Sequence, residues 1–508
     1  MIVIGSGPNG LVAANTLARR GFKVLVVEAN PRRAGGAVGT EALTLPGFRH
    51  DVGGGFFPFG SSSPAFVALD LPGAGVEWLH ARYESCHPAV DGSVAVIARG
   101  QELETAPFGS ARDADAFRAL ARFHAGVEPA LLAALLGPFP SVGPLLRVGI
   151  GPLLKIAGMF LRSTRGLASR LFESEAARRV LPGLGLHVDV GPEDRFGAGL
   201  AYMLAVTATT GGYGFPKGGA QSLTDGFVAR LAERGGEVRL GARVTRVLVR
   251  GGRATAVVLA DGTEIAARHA IVADTSPAAL LLSMIDEHEV PGWVRSFMKR
   301  FPQGWGTFKV DWALSAPVPW QVEAARESAV VHAGESVDDL ARFTAEARAG
   351  RLPERPFLVI GQQSLGDPTR APAGKHTLYC YTHVPPQVEG GWAAARERFA
   401  DSVEARIEEL APGFRASILG RHVMAPPDLE AWNANLVGGD LGGGSNAWHR
   451  QLVFRPLFPY FRYRMPVDGL YLCSSYAHPG AGVHGMCGAN AGQIAARDAE
   501  RRGAFGAV

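Results

Sequence analysis

"MIVIGSGPNG", residues 1–10, places a glycine turn directly after a short apolar run. The run MIVI has the composition of a buried parallel strand. Gly5, Gly7 and Gly10 then follow in the spacing G-x-G-x-x-G. Between a strand and a helix this spacing is the dinucleotide-binding fingerprint, because its glycines allow a tight turn and a close approach of the pyrophosphate to the backbone. We therefore predict a Rossmann-like α/β domain that binds a dinucleotide.

The residues that follow supply the rest of this unit. Residues 8–21 carry leucine and alanine at helical spacing, with Pro8 in the first turn and a glycine at the end. KVLVVE, residues 23–28, is a second apolar strand that ends in Glu28. An acid at this position accepts hydrogen bonds from the ribose hydroxyls of the adenosine. The order strand, glycine turn, helix, strand and acid is the full context that the fingerprint requires.

A second glycine-rich stretch, residues 29–55, distinguishes between the two common dinucleotides. A nicotinamide dinucleotide has no need of it, whereas FAD does, because the chain must also enclose the ribityl and isoalloxazine groups. The alternative is a glycine-rich surface loop. We predict FAD, with contacts from the first part of the chain by Gly5, Ser6, Gly7, Pro8, Asn9, Gly10, Glu28, Ala29, Arg33, Gly35 and Gly36.

The same glycine spacing returns near the other end of the chain, in GAGVHG, residues 480–485. A strand precedes it and an alanine-rich helix follows, but only 23 residues come after Gly485, too few for a further strand with a ribose-binding acid. The amino terminus of a helix is nevertheless a site for negative charge. We expect this segment to return to the first domain and to stabilise the charge of reduced flavin, with Gly482 and Val483 against the cofactor.

Three blocks of sequence resemble the phytoene desaturase and carotenoid isomerase-like family of FAD-dependent oxidoreductases. They are residues 2–29 with the nearby GGAV, residues 214–249, and residues 464–491. The resemblance implies that the third block contacts the flavin and that Val244 presents its backbone to the adenine. It departs from the family at Ser474 and Ser475, where relatives carry a glycine or an acid that touches the ribityl chain.

The middle of the chain predicts how the domains are divided. A helix at residues 220–232 is followed by strands that alternate apolar and polar residues, with a hairpin turn at Asp261 and Gly262. By resemblance, this β-meander belongs to an FAD domain of the glutathione reductase type. We predict a discontinuous FAD-binding domain, into which an α+β substrate domain is inserted. The FAD domain comprises residues 1–70, 210–290 and 440–508, and the substrate domain residues 71–209 and 291–439.

Residues 129–172 are strongly apolar and carry five basic residues and no acidic one. One interpretation is a surface that contacts anionic lipid, or a mouth through which a lipid enters. A second is a set of helices packed inside the substrate domain with basic flanks. A third is an interface for self-association, which would make the protein a homo-oligomer. The sequence leaves all three open.

Composition excludes several classes of protein. The chain has 508 residues, enough for two or three domains, and its net charge of +4 comes without a dense basic run, so we expect no nucleic-acid partner. No two of the four cysteines form a C-x-x-C pair, which argues against a zinc site or a redox disulfide. Isolated thiols suit a reducing compartment. We expect a cytoplasmic protein, associated with a membrane surface if the lipid interpretation holds.

Flavin enzymes of this kind move a hydride between a C–H bond and flavin N5, and the protein supplies position and electrostatic field. His478 and His484 are the candidate catalytic residues, and the pair His50–Asp51 is a further candidate for proton transfer. Each imidazole has the alternative role of a packed or backbone-bonded residue. Arg455 is a candidate for the pocket wall.

Three functions fit the sequence. The first is a flavin-dependent dehydrogenase, desaturase or oxidase that acts on an apolar small molecule, such as a polyene or isoprenoid, with a redox-neutral isomerase as a variant. The second is an amine oxidase on the same scaffold. The third is a non-catalytic flavoprotein that binds a partner or a membrane. The apolar basic segment favours the first.

Overall fold

A five-stranded parallel sheet joins parts of the chain that lie far apart in sequence. The computed structural model describes residues 1–505, and in it the first strand pairs on one side with Leu25–Val27 and on the other with Ile271–Ala273. Every pairing in this sheet is parallel. The strand order across the sheet is Leu470–Leu472, Ile271–Ala273, Ile2–Ile4, Leu25–Val27 and Glu237–Arg239.

The predicted β-meander follows the strand Glu237–Arg239 in sequence. Its three antiparallel strands are Val244–Arg250, Arg253–Leu259 and Glu264–Ala266. The turn at Asp261–Gly262 connects the second and third strands, as the sequence predicts, because Gly262 adopts the positive φ of 86° that this turn requires.

A seven-stranded mixed sheet forms the second part of the molecule. All neighbours in it are antiparallel except Ser328–Ala333 and Tyr83–Pro88, which run parallel. Its order is Ile418–Met424, Gly306–Leu314, His376–Val384, Leu358–Gly361, Ser328–Ala333, Tyr83–Pro88 and Val94–Ile97. Two small ribbons complete the strands: Thr40–Glu41 with His50–Asp51, and Trp78–Leu79 with Phe215–Pro216.

The helices surround both sheets, and those between residues 102 and 210 form a helical layer over the cavity described below. Within the described residues the α-helices are Pro8–Ala18, Pro64–Leu69, Glu102–Thr105, Ala111–Ala125, Glu128–Leu136, Val142–Val148, Ile150–Phe160, Thr164–Leu171, Glu175–Arg178, Val180–Gly185, Ala198–Thr210, Ala220–Ala232, Pro277–Ser283, Gly292–Met298, Glu323–Arg326, Val337–Arg348, Trp392–Leu410, Pro426–Trp432 and Met486–Phe505.

The first and last helices pack directly against each other. Gly488 makes this possible, because a Cβ at that position would overlap the carbonyl oxygen of Asn9. The close approach places the turn at residues 480–485 beside the first glycine turn. The two ends of the chain therefore meet, as the sequence predicts.

The strands of the parallel sheet come from the three segments predicted for the FAD domain, and those of the mixed sheet from the two predicted for the substrate domain. The boundaries at residues 70, 209, 290 and 439 stay predictions. Residues 506–508 of the last predicted segment lie outside the described residues.

The helices of residues 1–505 include no single one that is long and apolar enough to cross a membrane. Two bent pairs of helices reach that length and composition together. They are Ala111–Ala125 with Glu128–Leu136, bent by 71°, and Val142–Val148 with Ile150–Phe160, bent by 102°.

Candidate functional site

One large cavity runs from the glycine turn of the parallel sheet to the mixed sheet. Its volume is about 1630 Å³, above the roughly 300–1,000 Å³ that is usual for a single small ligand. Gly5, Glu28 and Val244 line one end, and Gly482 lines the wall beside them. The cavity therefore has room for a dinucleotide and a second molecule.

Glu28 lies at the carboxyl end of the second strand and is held firmly in place. One carboxylate oxygen accepts hydrogen bonds from the backbone N–H of Ser6 at 2.8 Å and from its hydroxyl at 2.6 Å. The other accepts from the backbone N–H of Asn30 at 2.7 Å. A carboxylate has about two acceptor positions on each oxygen, so the oxygen bonded to Asn30 keeps one free position, which can receive a ribose hydroxyl of an adenosine.

Asp274 is a member of this site that the sequence did not indicate. It follows the strand Ile271–Ala273, and its carboxylate accepts a hydrogen bond from the backbone N–H of Gly10 at 2.9 Å. Burial raises the pKa of this carboxyl to about 7; the Gly10 N–H opposes the shift and the charge of Glu28 adds to it. The sequence does show an acid at the end of an apolar strand. The pairing of that strand with the first strand cannot be predicted from neighbouring residues.

The site fits FAD on features of the residues themselves. The side-chain oxygen Oδ1 of Asn9 and the Nε2 of His484 are buried without hydrogen-bond partners among the described residues, and both side chains line the cavity. A Cβ on Gly5 would lie 2.8 Å from the carbonyl oxygen of Asp274, so only glycine leaves the turn its present shape. These are the properties of a cradle for a large polar ligand.

Most residues predicted to bind the cofactor line the cavity. Those on its wall are Gly5, Gly7, Pro8, Asn9, Glu28, Ala29, Gly36, Val244, Gly482 and Val483. Four others lie behind the wall. Gly35 donates its N–H to the carbonyl of Ser6 at 2.9 Å and supports the turn together with Gly10. Arg33 pairs with Glu41 at 3.3 Å and lies over the ring of Trp432, so its contacts are with the protein.

The two candidate catalytic histidines both line the cavity, and both rings are engaged by the backbone. His478 Nε2 lies 3.1 Å from the carbonyl oxygen of Gly137. His484 Nδ1 accepts the N–H of Met486 at 3.0 Å, at the start of the last helix. Burial lowers the pKa of each to about 4, so both imidazoles are neutral at pH 7. Their catalytic role stays a prediction.

For the pair His50–Asp51 the structure favours the alternative of packed residues over proton transfer, because neither lines the cavity. The Asp51 carboxylate pairs with Arg370 at 2.9 Å and accepts the N–H of Ala220 at 2.8 Å. His50 Nε2 is hydrogen-bonded to the hydroxyl of Thr44 at 2.7 Å. The pair ties the early glycine-rich stretch to the rest of the fold.

Arg455 is also not on the cavity wall, contrary to the sequence prediction. It is buried, and its guanidinium donates to the carbonyl oxygens of Ser475 at 2.8 Å, Gly443 at 2.7 Å and Ser445 at 3.2 Å. It therefore holds the loop at residues 442–445 against the carboxyl-terminal block.

The other end of the cavity is mainly apolar. It lies between the helical layer and the mixed sheet, and the strand His376–Val384 contributes the aromatic rings of Tyr379 and Tyr381. The apolar side chains on its wall include Leu132, Leu135, Leu136, Phe139, Phe160, Leu200, Met203, Leu204, Val330 and Val359.

Comparison with known families agrees with this geometry. Residues 9–383 match the family described as flavin containing amine oxidoreductase, and the match covers more than half of the chain. The protein belongs to this family and is an FAD-dependent oxidoreductase. The predicted cofactor and the predicted class of enzyme are thereby confirmed.

Two curated relatives span nearly the whole chain. The mouse protein named pyridine nucleotide-disulfide oxidoreductase domain-containing protein 2 is 29% identical over 98% of this chain and 93% of its own length. The neurosporene-forming phytoene desaturase of Rhodobacter capsulatus is 26% identical over 96% of this chain and 91% of its own. These similarities confirm the resemblance that the three sequence blocks indicate.

Solved structures share the fold. An oxidoreductase from Methanosarcina mazei superposes with a TM-score of 0.63 at 16% identity, over 97% of this chain and 99% of that one. A putrescine oxidase variant superposes with a TM-score of 0.61 at 17% identity, over 99% and 98%. The predicted α/β architecture, a Rossmann-like FAD domain with a substrate domain, is confirmed.

Proposed function

We propose that this enzyme removes a hydride from a C–H bond of an apolar substrate of the polyene or isoprenoid class. The observation that carries the proposal is the apolar end of the cavity, which continues from the predicted cofactor site. FAD supplies the hydride acceptor, N5, when it is bound. The chain excludes water from the C–H bond and holds an extended apolar molecule along the cavity wall. The similarity to a phytoene desaturase supports this substrate class.

The charges in the cavity argue against an ammonium substrate. Each carboxylate on the wall is engaged by the protein. Asp440 accepts the N–H groups of Gly304 at 2.7 Å and Gly444 at 2.8 Å, and Asp194 pairs with Arg348. Glu28 and Asp274 lie at the glycine turn. Among the described residues, a protonated amine would therefore find no carboxylate on the wall without protein partners, and burial of an unpaired ammonium is costly.

The mouth of the cavity supports the lipid interpretation of residues 129–172. We define the mouth as the exposed apolar residues that line the cavity: Leu145, Leu161, Phe196, Trp448 and Leu452. Ile150 and Leu154 extend this surface and are 81% and 70% exposed. The exposed Arg147 and Arg162 lie in the same segment and form no ion pair among residues 1–505.

Exposed apolar side chains flanked by free basic ones are complementary to the surface of an anionic bilayer. We propose that the mouth rests on such a bilayer and that the substrate enters the cavity from it. The enzyme would then act in the cytoplasm at a membrane surface. If this surface instead binds a partner protein or a second copy of the chain, the protein will not float with anionic vesicles.

The substrate class is tested by mixing the holoenzyme anaerobically with phytoene in detergent micelles and, separately, with putrescine. We expect phytoene to bleach the visible absorption band of the flavin and putrescine to leave it unchanged. Bleaching by putrescine alone would overturn the proposal in favour of an amine oxidase. Isomerised phytoene without net bleaching would identify the redox-neutral variant, and a purified protein without a flavin spectrum would contradict every enzymatic hypothesis.

A further inference from the structure

A row of polar aromatic side chains interrupts the apolar wall of the cavity. Tyr379, Tyr381 and His383 alternate along the strand His376–Val384, so their side chains lie on one face of the sheet. All three line the cavity. The ring centroids of neighbours are 6.0 Å and 5.8 Å apart. A wall made only for a hydrocarbon has no use for these polar atoms.

The three polar side chains differ in what they can still offer to a bound molecule. Tyr379 donates to the carbonyl oxygen of Gly53 at 2.7 Å. The hydroxyl of Tyr381 lies 3.0 Å from Nδ1 of His187. His187 Nε2 in turn lies 2.7 Å from Nε2 of His332, which is fully enclosed. Tyr381 is thus the cavity end of a chain of three groups.

The hydrogen-bond partners of Tyr381, His187 and His332 indicate which ring nitrogens carry protons. Burial lowers the pKa of His187 to about 3 and that of His332 well below its ordinary value, so both rings are neutral and each has one N–H. Nδ1 of His332 has no partner among the described residues. A buried N–H without a partner is costlier and rarer than an unused acceptor, so the proton of His332 lies on Nε2.

The remaining positions follow from that assignment. The Nε2–H of His332 donates to Nε2 of His187, so the proton of His187 lies on Nδ1 and donates to the oxygen of Tyr381. The O–H of Tyr381 is then left to donate into the cavity. The chain therefore presents one hydrogen-bond donor to a bound molecule.

His383, the next residue along the same face, presents an acceptor. Its Nδ1 lies 3.4 Å from the carbonyl oxygen of Gly306, to which it can only donate, and the backbone of His187 also lies against the ring. With the proton on Nδ1, Nε2 of the neutral ring carries a lone pair. The side chain is 5% exposed, and Nε2 has no partner within residues 1–505. A donor residue and a residue with a buried, unused acceptor are thus neighbours on one face of the strand, with ring centroids 5.8 Å apart.

We propose that Tyr381 and His383 bind the hydroxyl group of the substrate, which is therefore an apolar alcohol of the isoprenoid or polyene class. This inference rests on the proposed function. A hydroxyl accepts from Tyr381 and donates to His383 at the same time. A neutral amine has the same two capacities, but an aliphatic amine is protonated at pH 7 and has to lose that proton before it can accept from Tyr381. A carbonyl oxygen satisfies Tyr381 alone, and a hydrocarbon leaves both polar atoms buried without partners, which is unfavourable.

The test compares three C20 molecules with the same isoprenoid skeleton: phytol, the aldehyde phytal and the hydrocarbon phytene. Each is titrated into the holoenzyme in one detergent, and the dissociation constant is taken from the perturbation of the flavin absorption band. Two neutral hydrogen bonds predict that phytol binds roughly tenfold more tightly than phytene, with phytal between them.

Variants separate recognition of the hydroxyl from the shape of the cavity. Tyr381→Phe and His383→Leu should each weaken the binding of phytol several-fold and leave that of phytene within about twofold. Tyr213→Phe is the matched control, because Tyr213 lines the cavity but its hydroxyl already donates to the carbonyl of Leu204 at 2.9 Å. It should keep the preference for phytol.

Each outcome has a separate meaning. Equal binding of phytol and phytene by the wild-type protein, or a preference for phytol that survives in both variants, would overturn the assignment of the hydroxyl site and leave the apolar-substrate proposal standing. If none of the three molecules perturbs the flavin, the apolar-substrate proposal fails and this inference fails with it.

Discussion

The carboxylate of Asp274 accepts the backbone N–H of Gly10 at 2.9 Å, and 264 residues separate the two in sequence. The contact places an acidic group on the same part of the cavity wall as Gly5 and Gly7, where the fingerprint predicts the pyrophosphate of the cofactor. Burial raises the pKa of this carboxyl to about 7. It is therefore protonated at pH 6 and ionised at pH 8.

This pKa predicts that FAD binds more weakly as the pH rises. Above pH 7 the ionised Asp274 opposes the negative pyrophosphate, and the affinity of a site coupled to one ionisation falls up to tenfold per pH unit. Asp274→Asn, which resembles the protonated form, should make the dissociation constant of FAD the same at pH 6 and pH 8. Titration of the apoprotein with FAD, followed by quenching of flavin fluorescence, measures it.

The same substitution has a consequence for stability. The folded-state pKa of Asp274 lies above its unfolded value of 3.8, so the native protein loses stability as the pH rises from about 4 to 7. Asp274→Asn should remove this loss, and urea unfolding at pH 5 and pH 8 detects it. Asp225→Asn, an exposed acid on the helix Ala220–Ala232, is the control. An Asp274→Asn protein with unchanged pH dependence would rule out the assigned pKa.

Gly488→Ala should separate the first and last helices. A Cβ at this position overlaps the carbonyl oxygen of Asn9, and overpacking of this kind costs about 1–3 kcal/mol. We expect a lower midpoint in urea unfolding and a lower FAD content after purification. Gly158→Ala is the matched control, since it also lies in a helix but meets no atom within 4 Å. It should raise stability by about 0.5–1 kcal/mol. Equal effects of the two substitutions would contradict this account.

Ile150→Glu with Leu154→Glu should detach the protein from anionic vesicles. The two side chains are four residues apart on one helix face. Both are exposed, so each substitution removes the favourable free energy of burying an aliphatic side chain in the bilayer. We expect at least tenfold less protein to float with phosphatidylglycerol vesicles, and binding of the wild-type protein to decrease with salt. Leu419→Glu, 46% exposed and outside the mouth, should float normally. Failure of the wild-type protein to float at low salt would end the membrane proposal.

Arg455→Met should loosen the loop at residues 442–445 from the carboxyl-terminal block. The substitution leaves the buried carbonyl oxygens of Ser475, Gly443 and Ser445 without their donor. Each such loss costs about 1–3 kcal/mol, so we expect marked destabilisation in urea and loss of FAD. Arg462→Met, at an exposed arginine, is the control and should unfold at the wild-type midpoint. A stable Arg455→Met protein that retains FAD would contradict the role assigned to this arginine.

Local patterns predicted the elements that depend on neighbours in sequence. The helix Pro8–Ala18, the turn at Asp261–Gly262 and the helix Ala220–Ala232 all lie where spacing and turn residues indicate. Glu28 was also predictable, because the acid of the fingerprint ends the second strand. In each case the physical cause, a periodicity, a cap or a positive φ, lies within a few residues.

Predictions about where side chains point were less successful. His50 and Asp51 were predicted to handle protons, yet Asp51 pairs with Arg370, 319 residues later. Asp274 was missed for the converse reason, since its partner Gly10 lies in a different part of the chain. A pattern of neighbouring residues cannot predict a partner that lies hundreds of residues away in sequence.

The sequence by itself determined the class of fold, the cofactor turn and the acid that follows it, because glycine conformations and apolar periodicities act over short distances. Only the tertiary structure decided which polar groups share the cavity. His187, Tyr381 and His332 are brought together from positions up to 194 residues apart. Their hydrogen bonds, their burial and the lone pair left on His383 exist only when separate helices and strands pack around one space.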